Sequence, residues 1–431
     1  MAPPNLKVLI SGAGIAGNAL AFWLARLGHD VTVVERFPVL RDSGLQLDLR
    51  GHGIEVLRRM GLEQAFREKS APEKGMAVVD STGRQRAFFP VDLSEGKDRR
   101  SLTSEFEIMR GDLCRLFHDA AKSPGRNDGA KYMFGTSVES FEQSNDSVEV
   151  RFDNGKTDRY DLLVGADGQW SRTRRMMLGL GTGSARVPHA DGLHPIEGNF
   201  FAYFTLRRPI QEGEQYIGTA YIAPGKKAIM TRRHSPHEMQ VILACKTDSE
   251  RLKNSRRGDV EEEKQAFADI YEGAGWQAED ILKSMRDAED FYCERLGVVK
   301  LESWSRGRVT LVGDAAYCPT VFTGMGTTSA VVGAYILAGE IGRCCGHNGS
   351  KDSLSTALDA YDKRFRPFMD SIQKGVLESS SRQWDMMGSA FSVAMFNWAL
   401  SVASFFKLNP GMFGVRDTVK GWDLPRYEDL E

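Results

Sequence analysis

An apolar run from Leu6 to Ser11 passes directly into Gly12-Ala13-Gly14-Ile15-Ala16-Gly17. A run with so little polar interruption predicts a strand buried on both faces, as in a parallel sheet. After the glycines, Ile15, Leu20, Trp23, Leu24 and Leu27 recur at helical spacing as far as Gly28. Glycine there suits the left-handed turn that closes a helix. Val31 to Glu35 then reads as a second strand. A strand, a glycine loop, a helix and a strand form a βαβ unit, which commits the chain to an α/β fold with a parallel sheet.

The glycine loop also has a chemical use. Its backbone N–H groups, at the positive end of the helix, can face a pyrophosphate, with Ala16 closing onto the ligand. Glu35 ends the second strand 18 residues after Gly17, where a carboxylate accepts hydrogen bonds from a ribose. NAD and FAD both satisfy that pattern. Two later strand endings discriminate, Leu162-Leu163-Val164-Gly165-Ala166-Asp167-Gly168 and Leu311-Val312-Gly313-Asp314-Ala315-Ala316. Each delivers an aspartate beyond the carboxyl end of a strand, where ligands of open α/β sheets bind. Asp314 is expected to accept from a ribityl hydroxyl, which FAD has and NAD lacks. Asp167 and Gly168 are expected to hold the loop under the pyrophosphate or to position nearby backbone. One such aspartate alone would read as a turn or N-cap. Gly324-Met325-Gly326-Thr327-Thr328 precedes an apolar helix whose N-terminus would favour negative charge on a reduced flavin. Glycine at 324 and 326 lets backbone approach the ring system.

A chain of 431 residues exceeds one ordinary domain. Residues 44–120 show a helical pattern with short breaks, and Val148 to Phe152 and Tyr160 to Val164 read as strands joined at Asp153-Asn154-Gly155. From Ala185 to Leu296, alternating segments predict an antiparallel sheet able to cover a ligand. Tyr203, Tyr221, Met230 and Arg232, if on its covering face, are candidate substrate contacts, together with Thr320. The expected architecture is a doubly wound parallel sheet for FAD, with an inserted antiparallel substrate-binding sheet and a C-terminal helical segment. Its divisions are 1–184 and 297–375 for the cofactor, 185–296 for the substrate and 376–431 for the helical end.

Ala390 to Phe406 holds seventeen positions without a charge, slightly short for a ~30 Å hydrocarbon core. Asn397, Ser401 and Ser404 share one face at helical spacing. This predicts a helix docked on the body, with weak membrane contact or a partner surface as the alternatives.

A net charge of -2 and scattered arginines give no footprint for nucleic acid. The six cysteines have no zinc spacing, so no metal is expected. Thiols so dispersed fit a reducing compartment, and the N-terminus has no export pattern, which together predict a cytoplasmic protein. His234 and His237 lie in a polar loop and read as exposed. The residues alone name no general base, and the catalytic residues stay unknown.

Taken in order and spacing, Gly12-x-Gly14-x-x-Gly17 with Glu35-Arg36, Gly165-Ala166-Asp167-Gly168 through Arg174, and Gly313-Asp314-Ala315-Ala316 resemble the group A flavin monooxygenases of the para-hydroxybenzoate hydroxylase type. The layout is most similar to tetracycline-degrading monooxygenases and fungal secondary-metabolite hydroxylases, over residues 6–375. The resemblance implies FAD as cofactor, NADPH or NADH as co-substrate, and O2. It further implies oxygen transfer through a flavin C4a-hydroperoxide to an electron-rich aromatic or polycyclic small molecule, by hydroxylation or epoxidation. It implies that Arg110 reaches the FAD and makes Arg50 a second candidate near the flavin, each with an ion pair as the alternative. Three positions depart from the pattern: Tyr317 stands where the family usually has His, Thr328 where it often has Asn, and Pro319 lies farther from the glycines. Thr320 and Val321 occupy the stretch lining the oxygen-reactive face. A flavin oxidase or dehydrogenase, and a nonenzymatic flavin-bound sensor or adaptor, are the competing readings.

Overall fold

The computed structural model describes residues 5–41, 44–91, 100–101, 106–123, 128–181, 189–346, 353–385, 387–406, 415–416, 419 and 421–430. A six-stranded sheet runs in the order Ser305–Arg306, Val309–Leu311, Leu162–Gly165, Lys7–Ser11, Asp30–Glu35, Lys131–Phe134. All neighbours are parallel except the first pair. Val8, Leu9 and Ile10 are wholly buried, as a strand covered on both faces requires. The Ile15–Arg26 helix packs between this sheet and the Gly326–Cys345 helix, whose residues are buried along most of its length. Gly28, at φ +86°, closes the first helix as its position predicted.

The second sheet has seven strands, ordered Tyr292–Val299, Leu193–Arg207, Glu238–Lys246, Lys227–Arg233, Gly218–Ala223, Gly75–Val79, Gln85–Pro90. Helices Val260–Tyr271 and Ala278–Asp287 cover one face and bury Phe267, Tyr271, Ile281 and Met285 in a core of their own. The other face looks toward the parallel sheet.

Two expectations about local structure fail. Residues 44–120 are not uniformly helical, since Gly75–Val79 and Gln85–Pro90 are strands that extend the second sheet. Gly218–Ala223 pairs parallel with Gly75–Val79, so the sheet is mixed. The Asp153-Asn154-Gly155 turn joins Val148–Phe152 to Thr157–Tyr160, and Leu162–Gly165 is a separate strand of the parallel sheet. Asp161 separates the two, accepting the Lys7 N–H at 2.8 Å.

The Ala390–Phe405 helix docks on Gln85–Pro90 through Leu400 and Phe396. Of Asn397, Ser401 and Ser404 only Ser404 bridges to the body, exchanging hydrogen bonds with the Phe88 backbone at 2.9 and 3.1 Å. Ser401 bonds within the helix, and Asn397 Oδ1 is buried without a partner. Phe391, Met395, Trp398 and Phe405 stand exposed on the same helix. No helix among the described residues is long and apolar enough to cross a membrane.

Candidate functional site

A cavity of about 560 Å³ opens between the two sheets. One end is built by the glycine loop. Gly12 has φ +114°, and a Cβ there would sit 2.6 Å from Ala166 O. A Cβ on Gly17 would lie 1.9 Å from Gly12 O, so both glycines are demanded by backbone packing. Gly17 itself lies under the loop, outside the cavity wall. Gly14 differs: a Cβ there would meet nothing within 4 Å, and the residue is the N-cap of Ile15–Arg26, with no side chain to cap the helix. The open space beside it lies over a helix N-terminus, the geometry that takes an anion.

Glu35 Oε2 accepts the Ala13 N–H at 3.0 Å and Oε1 accepts the Phe37 N–H at 3.1 Å, tying the loop to the second strand. Arg36, Arg41 and Arg110 reach the same wall. Burial and the neighbouring Arg110 both lower the Arg41 pKa, so the two guanidiniums repel and together favour an anion between them. Nothing in the spacing around Arg41 marked it for this place. Its signal was only an extra cation in the chain between Glu35 and Gln46.

The two strand-end aspartates separate. Asp167 accepts from Ser171 Oγ at 2.5 Å, Arg172 N at 2.9 Å and Thr173 N at 3.0 Å. It therefore anchors the start of the Arg172–Met177 helix, positioning backbone beside Gly168. Asp314 begins a short helix after Gly313, which adopts φ +66°, and its carboxylate is open to the cavity. Surrounding protein raises its pKa, against which Cys318 and Arg110 act. Gly324, in the left-handed region at φ +59°, and Gly326 and Thr327 form the next stretch of wall.

Several assigned residues lie elsewhere. Thr328 is buried and exchanges hydrogen bonds with the Arg50 backbone at 3.0 and 3.3 Å. Arg50 is also buried and pairs with Asp48, so it supports the wall from behind. Tyr317, 1% exposed, packs on Trp304 and bonds Tyr361 at 3.2 Å, away from the cavity. His234 is mostly buried, 3.7 Å from Glu238.

On the second sheet, cross-strand register decides which residues face inward. Tyr203 pairs with Ile242 and Ile242 with Met230, which places them on one face. Tyr221 pairs with Ile229 and points to the opposite side, where its hydroxyl donates to Ala274 O at 2.7 Å. It is a core residue of the helical layer. Tyr203 and Arg232 line the cavity, whereas Met230 shares their face without reaching the wall. Tyr292, Leu296, Gln46 and Asp48 complete this end, none of them marked by sequence patterning.

Thr320 also lines it, at φ +63° and ψ 160°, with a buried hydroxyl that has no partner. A β-branched residue in that region is strained, and such strain is found where a site needs a fixed backbone.

A parallel sheet with an anion cradle at one end of its cavity, and a second sheet closing the other, defines an α/β dinucleotide-binding enzyme. Residues 5–374 match the family model described as FAD binding domain, and the chain belongs to that family. It is 48% identical over 439 residues to the FAD-dependent monooxygenase asL4 of Sarocladium schorii, with 99% of each chain covered. To the flavin-dependent monooxygenase eupH of a Phoma species it is 42% identical over 381 residues, covering 85% of each. Tetracycline destructase Tet(51) superposes with a TM-score of 0.71 at 29% identity, over 92% of this chain and 98% of that one. The protein is an enzyme of the FAD-dependent monooxygenase class.

Proposed function

We propose that the protein uses NADPH or NADH to drive insertion of one oxygen atom from O2 into an electron-rich aromatic or polycyclic small molecule, by hydroxylation or epoxidation. The observation that carries this reading is the continuity of the cavity from Gly14 to Arg232. A cofactor end and a covered chamber share one space.

The residues present fit FAD. The helix start at Gly14 with Arg41 and Arg110 would hold the pyrophosphate, Glu35 the adenosine ribose and Asp314 the ribityl chain. Gly324 to Thr327 would bring backbone to the polar edge of the ring. Once bound, FAD supplies the electron storage and the reactivity toward O2. The chain's own residues then have two tasks. Tyr203, Tyr292, Leu296 and Val321 present ring and apolar surface that excludes water and stacks against a flat substrate. Arg232 and Gln46 offer hydrogen bonds that fix which atom faces the reacting centre. Tetracycline destructase acts, by its name, on a tetracycline, and a polycyclic substrate would suit this chamber too.

The test is turnover of candidate phenolic and polycyclic compounds under labelled O2, with mass spectrometry of the product. One labelled oxygen per product is expected. Oxidised product without label, matched by hydrogen peroxide, would establish an oxidase instead.

A further inference from the structure

The cavity wall between the glycine loop and the second sheet conceals a cluster of charge. Arg232 donates to both oxygens of Glu73, at 2.8 and 2.9 Å, and to Glu107 Oε2. Arg50 Nε donates to Asp48 Oδ2 at 3.0 Å. Gln46 donates to Glu107 and, at 3.2 Å, to Glu73, while its own N–H is held by Gln240 at 2.6 Å. The side chains of Glu73 and Glu107 are each 1% exposed. Asp48, Gln46 and Arg232 border the cavity itself.

Asp48 and Glu107 stand directly opposite each other on paired antiparallel strands. Among the described residues three carboxylates, Asp48, Glu73 and Glu107, meet two guanidiniums, Arg50 and Arg232. Two buried carboxylates that face each other repel, and one shared proton removes the repulsion. Hydrogen bonding indicates where the proton sits. Asp48 Oδ1 is buried and has no donor as long as its neighbours are ionised. Glu73 is already satisfied by Arg232, and Asp48 Oδ2 by Arg50. A proton on Glu107, donated to Asp48 Oδ1, completes the set.

The titration tendencies agree with that placement. Burial, then the Asp48 charge, push the Glu107 carboxyl well above the usual range. Burial also acts to raise Asp48, but Arg50 and Arg232 outweigh it and hold Asp48 below its ordinary value.

We propose that Asp48 and Glu107 form a proton store serving the reaction chamber, with Glu107 holding the proton and Asp48 passing it to an oxygen atom that gains negative charge beside Arg232. In the transfer, the O–H bond on Glu107 breaks as one forms on Asp48, and the Asp48 proton moves to the acceptor oxygen. No electrons change hands, and the pair ends doubly ionised between Arg50 and Arg232. Asp48 is the catalytic residue because it borders the chamber, and Glu107 acts through it. The role rests on the monooxygenase reading, but the protonation state does not.

Infrared difference spectroscopy of wild type minus Glu107→Gln at neutral pH tests the store directly. A protonated-carboxyl stretch present in wild type, lost in E107Q and kept in E73Q is expected. Its absence from wild type, or its survival in E107Q, would overturn the proposal. For the transfer, FAD-loaded protein is photoreduced and mixed with O2 across a pH series. E107Q and D48N are expected to slow flavin reoxidation by about a hundredfold and to remove the wild-type inflection. An unchanged profile in E107Q would reduce the pair to a structural role. If E107Q fails to fold, the wild-type stretch is titrated instead, and it must vanish at the pH where reoxidation inflects. A protein that takes up no FAD is colourless, so failure of the flavin reading is seen separately from the carboxyl band.

Discussion

Gly14 and Gly17 lie three residues apart and do opposite work. Gly17 has no room for a Cβ because of Gly12 O, whereas Gly14 has space that a pyrophosphate would fill. Gly17→Ala should lower stability by about 3 kcal/mol in chemical denaturation, because backbone must move. Gly14→Ala should cost at most about 1 kcal/mol in the same measurement yet weaken FAD at least tenfold by fluorescence titration. A similar contrast separates the aspartates. Asp314→Asn should weaken FAD about 10- to 100-fold in that titration, the worth of a charge-assisted hydrogen bond, with little change in melting. In sequence Asp167 and Asp314 look alike, because both follow Gly at a strand end. What distinguishes them is local competition: Ser171, Arg172 and Thr173 donate to Asp167, and only the folded geometry shows that Asp314 keeps its carboxylate for the cavity. Tyr221 was misplaced for a related reason. Alternation along a strand tells which residues share a face, but not which face meets the ligand or how neighbouring strands are registered.

At the level of elements, the first βαβ unit was legible because buried parallel strands are almost wholly apolar and the glycines punctuate them. Gly75-Met76-Ala77-Val78-Val79 carried no such mark. A five-residue apolar run fits a strand or part of a buried helix, and the partner that joins it to the rest of the sheet lies far along the chain at Gly218–Ala223. The C-terminal helix was recognisable as a helix, and its docking was argued from three polar residues of which one proved to bridge. Leu400 is the apolar anchor, 6% exposed against Val78, Ala87 and Phe89. Leu400→Ala should destabilise this docking by about 2–3 kcal/mol. Hydrogen exchange would show it as faster exchange confined to Ala390–Phe405 and Gln85–Pro90, with the parallel sheet unchanged.

The charged cluster couples the whole molecule to pH. Because Glu107 titrates above its unfolded value of 4.5, the folded protein binds more protons than the unfolded chain over the interval between the two. Stability therefore falls as pH rises through that interval, by up to about 1.4 kcal/mol per pH unit, and levels off above the folded value. Asp48 acts in the opposite sense: its contribution is present above 3.8 and is lost as pH falls through its lower folded value. Melting curves across the acid range should show a wild-type decline that E107Q lacks. The second sheet has a further consequence for how such enzymes diversify. Its strands come from 75–90 as well as 193–299, joined along one parallel pair. A substrate chamber built this way is not inherited as one block. Recombination between relatives that exchanged the later segment alone would set a foreign edge against Gly75–Val79. New specificities in this architecture should therefore arise by point substitution on the inward face, or by exchange of both segments together.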